Sequence, residues 1–346
     1  MINMNGPNCP NNPNANIFEY ISSFNRFVNG CNMNPHLEIK YPMFIDPTVD
    51  EILNMDCEGQ ANGLTPYNFT KRCGLIETYS ALLLCQEVNA EKMKRLVSTN
   101  ELFLNVIYNL PISCPFYGLG SQGLVNGQGQ IWIQGSRMVP EYANTFAHEY
   151  GHALGLKHAG AMGSTWEYAD CSDPMGCAST INLCYNAPNA NAIGWSQPIH
   201  INVDSSTRGI WSEYFLPIFT TAYYNNFLIT VPGTSCDLFF SLRSGQQNIF
   251  ADSAIETLTV VTYNGTYAPL QNSVSVHAKN QTSTAHSILV DVVPMSSIWA
   301  FDQIAKQVCG SSVTFGNIAI KHIQFIARKG SSISFCFYNK KVTDCK

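Results

Sequence analysis

Three histidines and a glutamate lie within one short stretch of this chain, Ala147–Gly160, which reads AHEYGHALGLKHAG. His148 and His152 are four residues apart, so on a helix they lie about 6 Å apart along one face and can offer two imidazoles to one ion. Glu149 follows the first histidine, and His158 lies six residues beyond the second. Neutral nitrogen donors beside a carboxylate indicate metal-assisted hydrolysis.

A helix is the element that must position these side chains. Pro140 suits a first helical position, and Gly155 can adopt the left-handed conformation that ends a helix. The end of the helix matters chemically, because His158 could not share a face with His148 and His152 if the helix continued. A turn at Gly155 allows His158 to approach the same ion.

The predicted site is an open zinc site, in which three imidazoles leave a fourth position for water. We expect His148, His152 and His158 to bind Zn²⁺, which acidifies the water and polarises a substrate carbonyl. Glu149 would take the proton of the water and pass it to the leaving amine. Ordinary surface or core histidines are the alternative, and the five fixed positions of HExxHxxGxxH in this sequence disfavour it.

With this motif the chain resembles the metzincin metallopeptidases, in which HExxHxxGxxH precedes a methionine-containing turn. The resemblance assigns that methionine to Met175, within the sequence Asp173-Pro174-Met175-Gly176. In the family this residue lies beneath the zinc site as an apolar floor. Some metzincins have a tyrosine two residues later as an additional zinc neighbour, but this chain has Cys177 there, so no tyrosine ligand is expected.

Within the metzincins the chain is most similar to the gametolysin group. The resemblance covers about residues 102–195 and implies an endopeptidase that acts on extracellular proteins, including cell-wall glycoproteins in that family. It also implies that Gln130–Gln134 is an edge strand above the cleft, to which a substrate adds in extended form; an interior strand is a nearly equal alternative. The resemblance to the gametolysin group rests on the histidine stretch and on four further segments, Tyr168-Ala169-Asp170, Met175-Gly176, Cys184-Tyr185-Asn186-Ala187 and Ile193-Gly194-Trp195.

Before the histidine stretch, the periodicity of apolar residues predicts alternating helices and strands. Ile17–Val28 has the spacing of a short helix and Gly74–Val97 that of a long amphipathic helix. Leu102–Asn109 is predicted to be a buried strand, and Gln130–Gln134 a strand with one exposed face. The glycine-rich segment Gly118–Gly129 between them is predicted to be a loop.

After Trp195 the periodicity is that of strands and predicts an antiparallel β-sandwich that supports the enzyme or docks its substrate. The predicted strands are Asn226–Pro232, Asp237–Arg243, Thr257–Tyr263, Ser273–Ala278, Ser287–Val293, Val313–Ile320, His322–Ala327 and Ser332–Tyr338. His200, His277, His286 and His322 have no ligand-like neighbours in the sequence, so we expect them to be structural or solvent-exposed.

The predicted fold is therefore an α+β zincin-like (metzincin) catalytic domain followed by an all-β sandwich domain. An Asn/Pro-rich arm and short helix occupy residues 1–35, the catalytic domain residues 36–197 and the sandwich residues 198–346. A length of 346 residues agrees with two domains.

Composition and charge disfavour two classes of partner. The net charge is −5 and no basic run is present, which argues against nucleic acid, because phosphate neutralisation requires clustered Lys and Arg. No stretch has the length of apolar sequence that a membrane helix requires. The N-terminal residues lack the basic and apolar regions of a secretory signal. The expected partner is a protein or glycoprotein substrate.

The 13 cysteines predict disulfides and a secreted, extracellular protein. Possible glycosylation sites at Asn68, Asn264 and Asn280 are compatible with secretion. The odd number of cysteines leaves at least one thiol without a partner in the chain. Cys73, in the sequence Lys71-Arg72-Cys73-Gly74, is similar to the inhibitory cysteine of some metzincin propeptides, but a disulfide is the better interpretation because a propeptide ending there would remove predicted catalytic elements.

Two functions remain after these exclusions. The first is a zinc-dependent endopeptidase that hydrolyses peptide bonds of extracellular proteins or glycoproteins. The second is a catalytically inactive metzincin-like protein that binds other proteins or carbohydrate through the sandwich. The intact Glu149 favours the enzyme, because an inactive relative has no need of a proton carrier.

Overall fold

The computed structural model describes residues 2–4, 17–36, 53–61, 63, 65–88, 90, 104–110, 114–123, 128–137, 142–177, 183–202, 208–231, 236–244, 259–261, 267–281, 286–301, 317–338 and 341–346. In these residues the α-helices are α1 Ile17–Cys31, α2 Leu75–Val88, α3 Ala143–Ala153 and α4 Ala187–Ala192. The chain divides into two compact units, Met1–Asn25 with Ile39–Gly155 and Arg26–Glu38 with Leu156–Lys346.

The first unit is built on a five-stranded sheet in the order β2-β1-β5-β7-β6. Its strands are β1 Ile2–Met4, β2 Leu53–Met55, β5 Leu104–Leu110, β6 Gly118–Gly120 and β7 Gln128–Gln134, and the short pair β3 Glu58–Gly59 and β4 Tyr67–Asn68 lies outside this sheet. Strands β1, β2, β5 and β7 are parallel, whereas β6 runs antiparallel to β7 at the edge. Helix α3 packs against β6 and β7.

The prediction that Gln130–Gln134 is an edge strand with one exposed face is wrong. Strand β7 lies between β5 and β6, and every residue from Gln130 to Gln134 is buried. The glutamine at the end of the strand is satisfied internally, because Gln134 Nε2 donates a hydrogen bond to the Cys114 carbonyl oxygen at 2.5 Å. The edge of the sheet beside β7 is formed by β6. This strand lies in the segment predicted to be a loop, because glycine disfavours strands.

The second unit contains two larger sheets. One has the order β8-β16-β15-β12-β11-β9 and the other β10-β19-β18-β17, and β13 pairs with β14 separately. The strands are β8 Ala159–Ala161, β9 Gln197–His200, β10 Ser212–Pro217, β11 Tyr224–Val231, β12 Cys236–Arg243, β13 Thr259–Val261, β14 Tyr267–Pro269, β15 Ser273–Asn280, β16 Ser287–Val293, β17 Ile298–Phe301, β18 Asn317–Ile326 and β19 Gly330–Tyr338. The pairings are antiparallel except β8 with β16 and β9 with β11.

One apolar core is shared by these two sheets. Phe227 and Phe240 of the six-stranded sheet pack edge-on against Phe335 of the other, with ring centroids 5.8 and 4.9 Å away. Such aromatic contacts add about 0.5–1.5 kcal/mol each to the burial of apolar area. The described residues are thus largely β with few helices; the metzincin fold, a separate sandwich domain and the boundaries at 35 and 197 stay predictions.

Most of the other predicted elements are present, and two of them differ from the prediction. The predicted strands Val313–Ile320 and His322–Ala327 form one strand, β18, with an irregularity between His322 and Gln324. Helix α2 was predicted to be amphipathic, and this prediction is wrong, because the apolar side chains of Leu75, Tyr79 and Val88 are exposed. The alternation of apolar residues in Leu37–Ile45 also predicts a strand, interrupted at Pro42. This segment and residues 91–97 of the predicted helix lie outside the described residues.

Disulfides join Cys31 to Cys184, Cys73 to Cys114, Cys171 to Cys177 and Cys336 to Cys345, and Cys57 and Cys236 are also disulfide-bonded. The interpretation of Cys73 as a disulfide partner is confirmed. Cys85 is a buried thiol, in agreement with the odd number of cysteines. None of the helices in the described ranges has the length and apolar character needed to cross a membrane.

Candidate metal centre

Helix α3 carries the first part of the histidine motif and ends where the sequence predicts. Its last hydrogen bonds run from Leu154 N–H to the Tyr150 oxygen and from Gly155 N–H to the His152 oxygen. Gly155 has a φ of +89°, the left-handed conformation that lets the chain leave the helix axis. The predicted start at Pro140 lies outside the described residues, and the helix begins at Ala143.

One face of α3 packs into the apolar core, and the opposite face carries the histidines. Phe146 and Tyr150 pack edge-on against Phe24, with ring centroids 4.2 and 5.0 Å apart. His148 and His152 are each displaced by two residues from this pair, which places them about 200° around the helix. The aromatic face therefore anchors the helix in the core and leaves the other face to the histidines.

The structure brings the three predicted ligands together on the continuous segment that runs from α3 into β8. The candidate ligand atoms of His148, His152 and His158 all lie within 4.8 Å of one another. His148 and His152 are each 6% exposed, and their rings are perpendicular with centroids 4.8 Å apart. Buried rings of this kind have few alternative rotamers, so the donors are held near one point before an ion binds.

This donor set fits zinc. Neutral imidazole nitrogens bind Zn²⁺ at about 2.0–2.1 Å, so tetrahedral coordination requires nitrogens roughly 3.4 Å apart. The donor atoms lie up to 4.8 Å apart, which is more than this separation. Small rotations of the histidine side chains would bring the nitrogens to the distance that zinc requires. Three protein ligands also leave the fourth position that a catalytic zinc site keeps open.

Glu149 is buried beside these ligands, with 7% of its surface exposed. Burial raises the pKa of Glu149 to about 8, and the hydrogen bond from the Gly120 backbone N–H acts in the opposite direction. A cation held by the histidines would favour the ionised carboxylate, because an opposite charge within a few ångströms lowers a carboxyl pKa. The environment of Glu149 is thus suited to a group that accepts and returns a proton.

The glycines of β6 make room for Glu149. A Cβ atom at Gly118 would lie 2.6 Å from Glu149 Oε1, and one at Gly120 would lie 2.5 Å from the Glu149 carbonyl oxygen and 2.9 Å from His152 Cβ. Only glycine permits such a close approach of strand and helix. Sequence reasoning missed both residues, although the G-L-G alternation before a strand was a visible sign of close backbone contact.

Residues 173–176 form a turn, as the family resemblance predicts, and the position of Met175 beneath the histidines stays a prediction. Gly176 N–H donates to the Asp173 carbonyl oxygen at 2.9 Å, which closes a turn over residues 173–176. Met175 is completely buried, and its carbonyl oxygen accepts a hydrogen bond from Ala159 N–H, next to His158, at 2.8 Å. The Asp173 carboxylate accepts a hydrogen bond from Met175 N–H at 2.6 Å and thereby fixes the turn.

A buried polar network supports this turn. Asp170 Oδ2 lies 3.1 Å from His277 Nε2, both side chains are inaccessible to solvent, and Ser172 N–H donates to Asp170 Oδ1 at 2.9 Å. Burial by itself raises the pKa of Asp170, but hydrogen bonds and charge from His277 and hydrogen bonds from Ser172 outweigh it and hold the pKa below the usual carboxyl value. Arg243 donates to the Ser172 and Cys184 carbonyl oxygens at 2.7 and 3.0 Å. His277 is structural, as predicted.

A buried helix with two histidines and a glutamate, followed by a third histidine beyond its end, is the arrangement of a metal-dependent hydrolase. A family model described as gametolysin peptidase M11 matches residues 56–309. Because the match covers more than half of the chain, the chain belongs to the gametolysin M11 family of metallopeptidases.

Autolysin of Chlamydomonas reinhardtii is 29% identical to the chain over 189 residues, which are 50% of this chain and 28% of autolysin. The chain therefore spans less than a third of the length of that relative. No solved structure gives a significant match.

Proposed function

We propose that this chain is a zinc-dependent endopeptidase that hydrolyses extracellular proteins or glycoproteins. His148, His152 and His158 are the metal ligands, and Glu149 is the general base and acid. The observation that carries the proposal is the convergence of three imidazoles within 4.8 Å beside a buried glutamate, in a chain that belongs to a peptidase family.

The proposed mechanism assigns each side chain one task. When bound, Zn²⁺ supplies Lewis acidity to a water molecule and to the scissile carbonyl. Glu149 accepts the proton of the attacking water on its carboxylate and returns it to the leaving amine. The backbone N–H of Gly120 holds that carboxylate, and the packing of β6 against α3 limits its motion.

The proposed location is extracellular. The four disulfides with both partners in the described residues support an oxidising compartment, because cytosolic thiols are kept reduced. Proteins or glycoproteins outside the cell are then the available substrates. The family match and the similarity to autolysin support this class of substrate.

A chelator tests the proposed function. We expect the purified protein to cleave a denatured protein substrate, to lose that activity after dialysis against a zinc chelator, and to regain it when Zn²⁺ is added. Gel electrophoresis of the substrate at fixed times measures the loss and recovery. Cleavage that continues at an unchanged rate in protein stripped of metal would contradict the proposal.

A further inference from the structure

Two of the three candidate zinc ligands have a second side chain within hydrogen-bond distance of one ring nitrogen, Nδ1. Glu167 Oε2 lies 2.9 Å from His158 Nδ1, and Gln122 Nε2 lies 2.8 Å from His152 Nδ1. We propose that Glu167 and Gln122 are positioning residues that fix the tautomer and orientation of these two histidines and thereby raise the affinity of the site for zinc. The proposal rests on the zinc site of the proposed function.

The contact between Glu167 and His158 determines where the imidazole carries its proton. A carboxylate only accepts hydrogen bonds, so at 2.9 Å it favours the proton on Nδ1 and leaves the lone pair on Nε2. An outer carboxylate in this position also strengthens an imidazole as a metal ligand. His158 thus becomes a stronger donor with a single available nitrogen.

Tyr168 restrains the same ring from one face. The centroids of the His158 and Tyr168 rings are 3.9 Å apart and their planes are inclined by 37°. His158 lies outside the helix, so it lacks the backbone restraint that α3 gives to the other two ligands. The contact of Glu167 with Nδ1 and the ring contact of Tyr168 supply that restraint.

Gln122 has the corresponding position beside His152. It lies in the segment after β6, where Gly123 N–H donates to the His152 carbonyl oxygen at 2.8 Å and Ser121 Oγ donates to the Gly123 carbonyl oxygen at 2.8 Å. The Gly123 backbone and the Gln122 side chain therefore join the segment to the last turn of α3, and the Ser121 hydrogen bond restrains the segment internally. The atom of Gln122 beside His152 Nδ1 is the amide nitrogen Nε2. An amide has both a donor and an acceptor end, and a half-turn of the amide group would place its oxygen at Nδ1–H and leave the His152 Nε2 lone pair to the metal.

The two partners differ in charge, and this difference makes the proposal specific. Glu167 is a carboxylate with 54% of its side chain exposed, whereas Gln122 is a neutral amide. Three neutral imidazoles do not compensate the charge of Zn²⁺, so a carboxylate behind one of them contributes electrostatically as well as by orientation. Because Glu167 lies at the surface, its removal should leave the folded chain intact.

Zinc affinity, measured by competition with a chromophoric chelator, tests the proposal without reference to catalysis. We expect Glu167→Ala and Gln122→Ala each to weaken zinc binding by about 10–100-fold, the usual effect of removing such an outer partner. Gln122→Glu should bind zinc at least as tightly as the wild type, since a carboxylate presents only acceptors to Nδ1–H. Glu167→Gln should lie between the wild type and Glu167→Ala.

Two matched variants control for the loss of charge and of an amide. Glu58 accepts a hydrogen bond from the Asn68 amide, and Gln197 accepts one from the Tyr223 hydroxyl. Neither residue touches a candidate zinc ligand. Glu58→Ala and Gln197→Ala should therefore leave zinc affinity within about twofold of the wild type, as expected for surface changes. The melting temperature of every variant without metal should equal that of the wild type, which separates positioning from a general structural role.

The outcomes distinguish this inference from the proposed function. A wild-type chain that binds no zinc would contradict the proposed function and the inference together. Tight zinc binding by the wild type and equal binding by Glu167→Ala and Gln122→Ala would overturn the inference alone. A variant that loses zinc only because its metal-free form is unfolded would show an altered melting temperature, and this result would also count against positioning.

Discussion

Replacement of Glu149 by glutamine is expected to lower kcat for the cleavage of a denatured protein by about 10²–10⁴-fold, the usual contribution of a general base and acid. Glutamine has nearly the same shape as glutamate and can remain in the space beside Gly118 and Gly120. It cannot accept a proton from water at neutral pH, however. The three histidines are unchanged, so Glu149→Gln should retain its zinc, measured by metal analysis of the dialysed protein.

The control for this prediction is Glu213→Gln, which changes an exposed glutamate that contacts Ser332. Its kcat should equal that of the wild type. Cleavage by zinc-loaded Glu149→Gln at the wild-type rate would contradict the assigned role. Loss of zinc from Glu149→Gln would mean that the carboxylate is needed for metal binding instead. The same experiment distinguishes the enzyme from an inactive binding protein, because a binding protein would show no activity to lose.

Removal of His277 is expected to lower the free energy of unfolding by about 3 kcal/mol, the upper end of the usual cost of leaving a buried hydrogen-bonding group without its partner, because that group is a carboxylate. Asp170 is completely buried, and in His277→Ala its carboxylate retains only its hydrogen bonds with residues such as Ser172 and Asn186. The desolvation of that charge is then poorly compensated. Denaturant unfolding followed by tryptophan fluorescence measures the loss.

His322 provides a control of the same size. It is also completely buried, but its partners are the Val293 carbonyl oxygen and the Ser331 hydroxyl. Burial lowers the pKa of His322, which favours the neutral ring. His322→Ala leaves a similar cavity without an uncompensated charge, so it should destabilise the chain less than His277→Ala. Equal losses in the two variants would show that the cavity, rather than the charge of Asp170, determines the cost.

The histidine motif could be predicted from the sequence because its geometry is local. The period of a helix fixes the relation of His148 to His152, and a single residue, Gly155, ends the helix and frees His158. The Met175 turn follows within the same short stretch and could be assigned from the family resemblance. Each of these features depends on neighbours in the chain, which periodicity and turn preferences describe.

The environment of the motif could not be predicted because it is built from distant residues. His277 is 107 residues away from Asp170, and Gln122 is 30 residues away from His152. No local pattern marks either pair. The positions of β6 and β7 in the sheet could not be predicted for a similar reason. Glycine is unfavourable in a strand unless another element packs closely on it, and the helix that packs on β6 lies later in the chain. The polar side chains of Gln130 and Gln134 indicated a face of the strand exposed to solvent. The sequence does not show that a buried amide has a hydrogen-bond partner elsewhere in the chain.

The zinc content of the purified chain tests the central claim most directly. The three convergent histidines predict one zinc ion per chain by metal analysis after dialysis against metal-free buffer. His152→Ala should lose most of this zinc, because it removes one of three ligands. Wild-type protein that contains no zinc, gains none from a zinc-containing buffer and nevertheless cleaves protein would contradict the account.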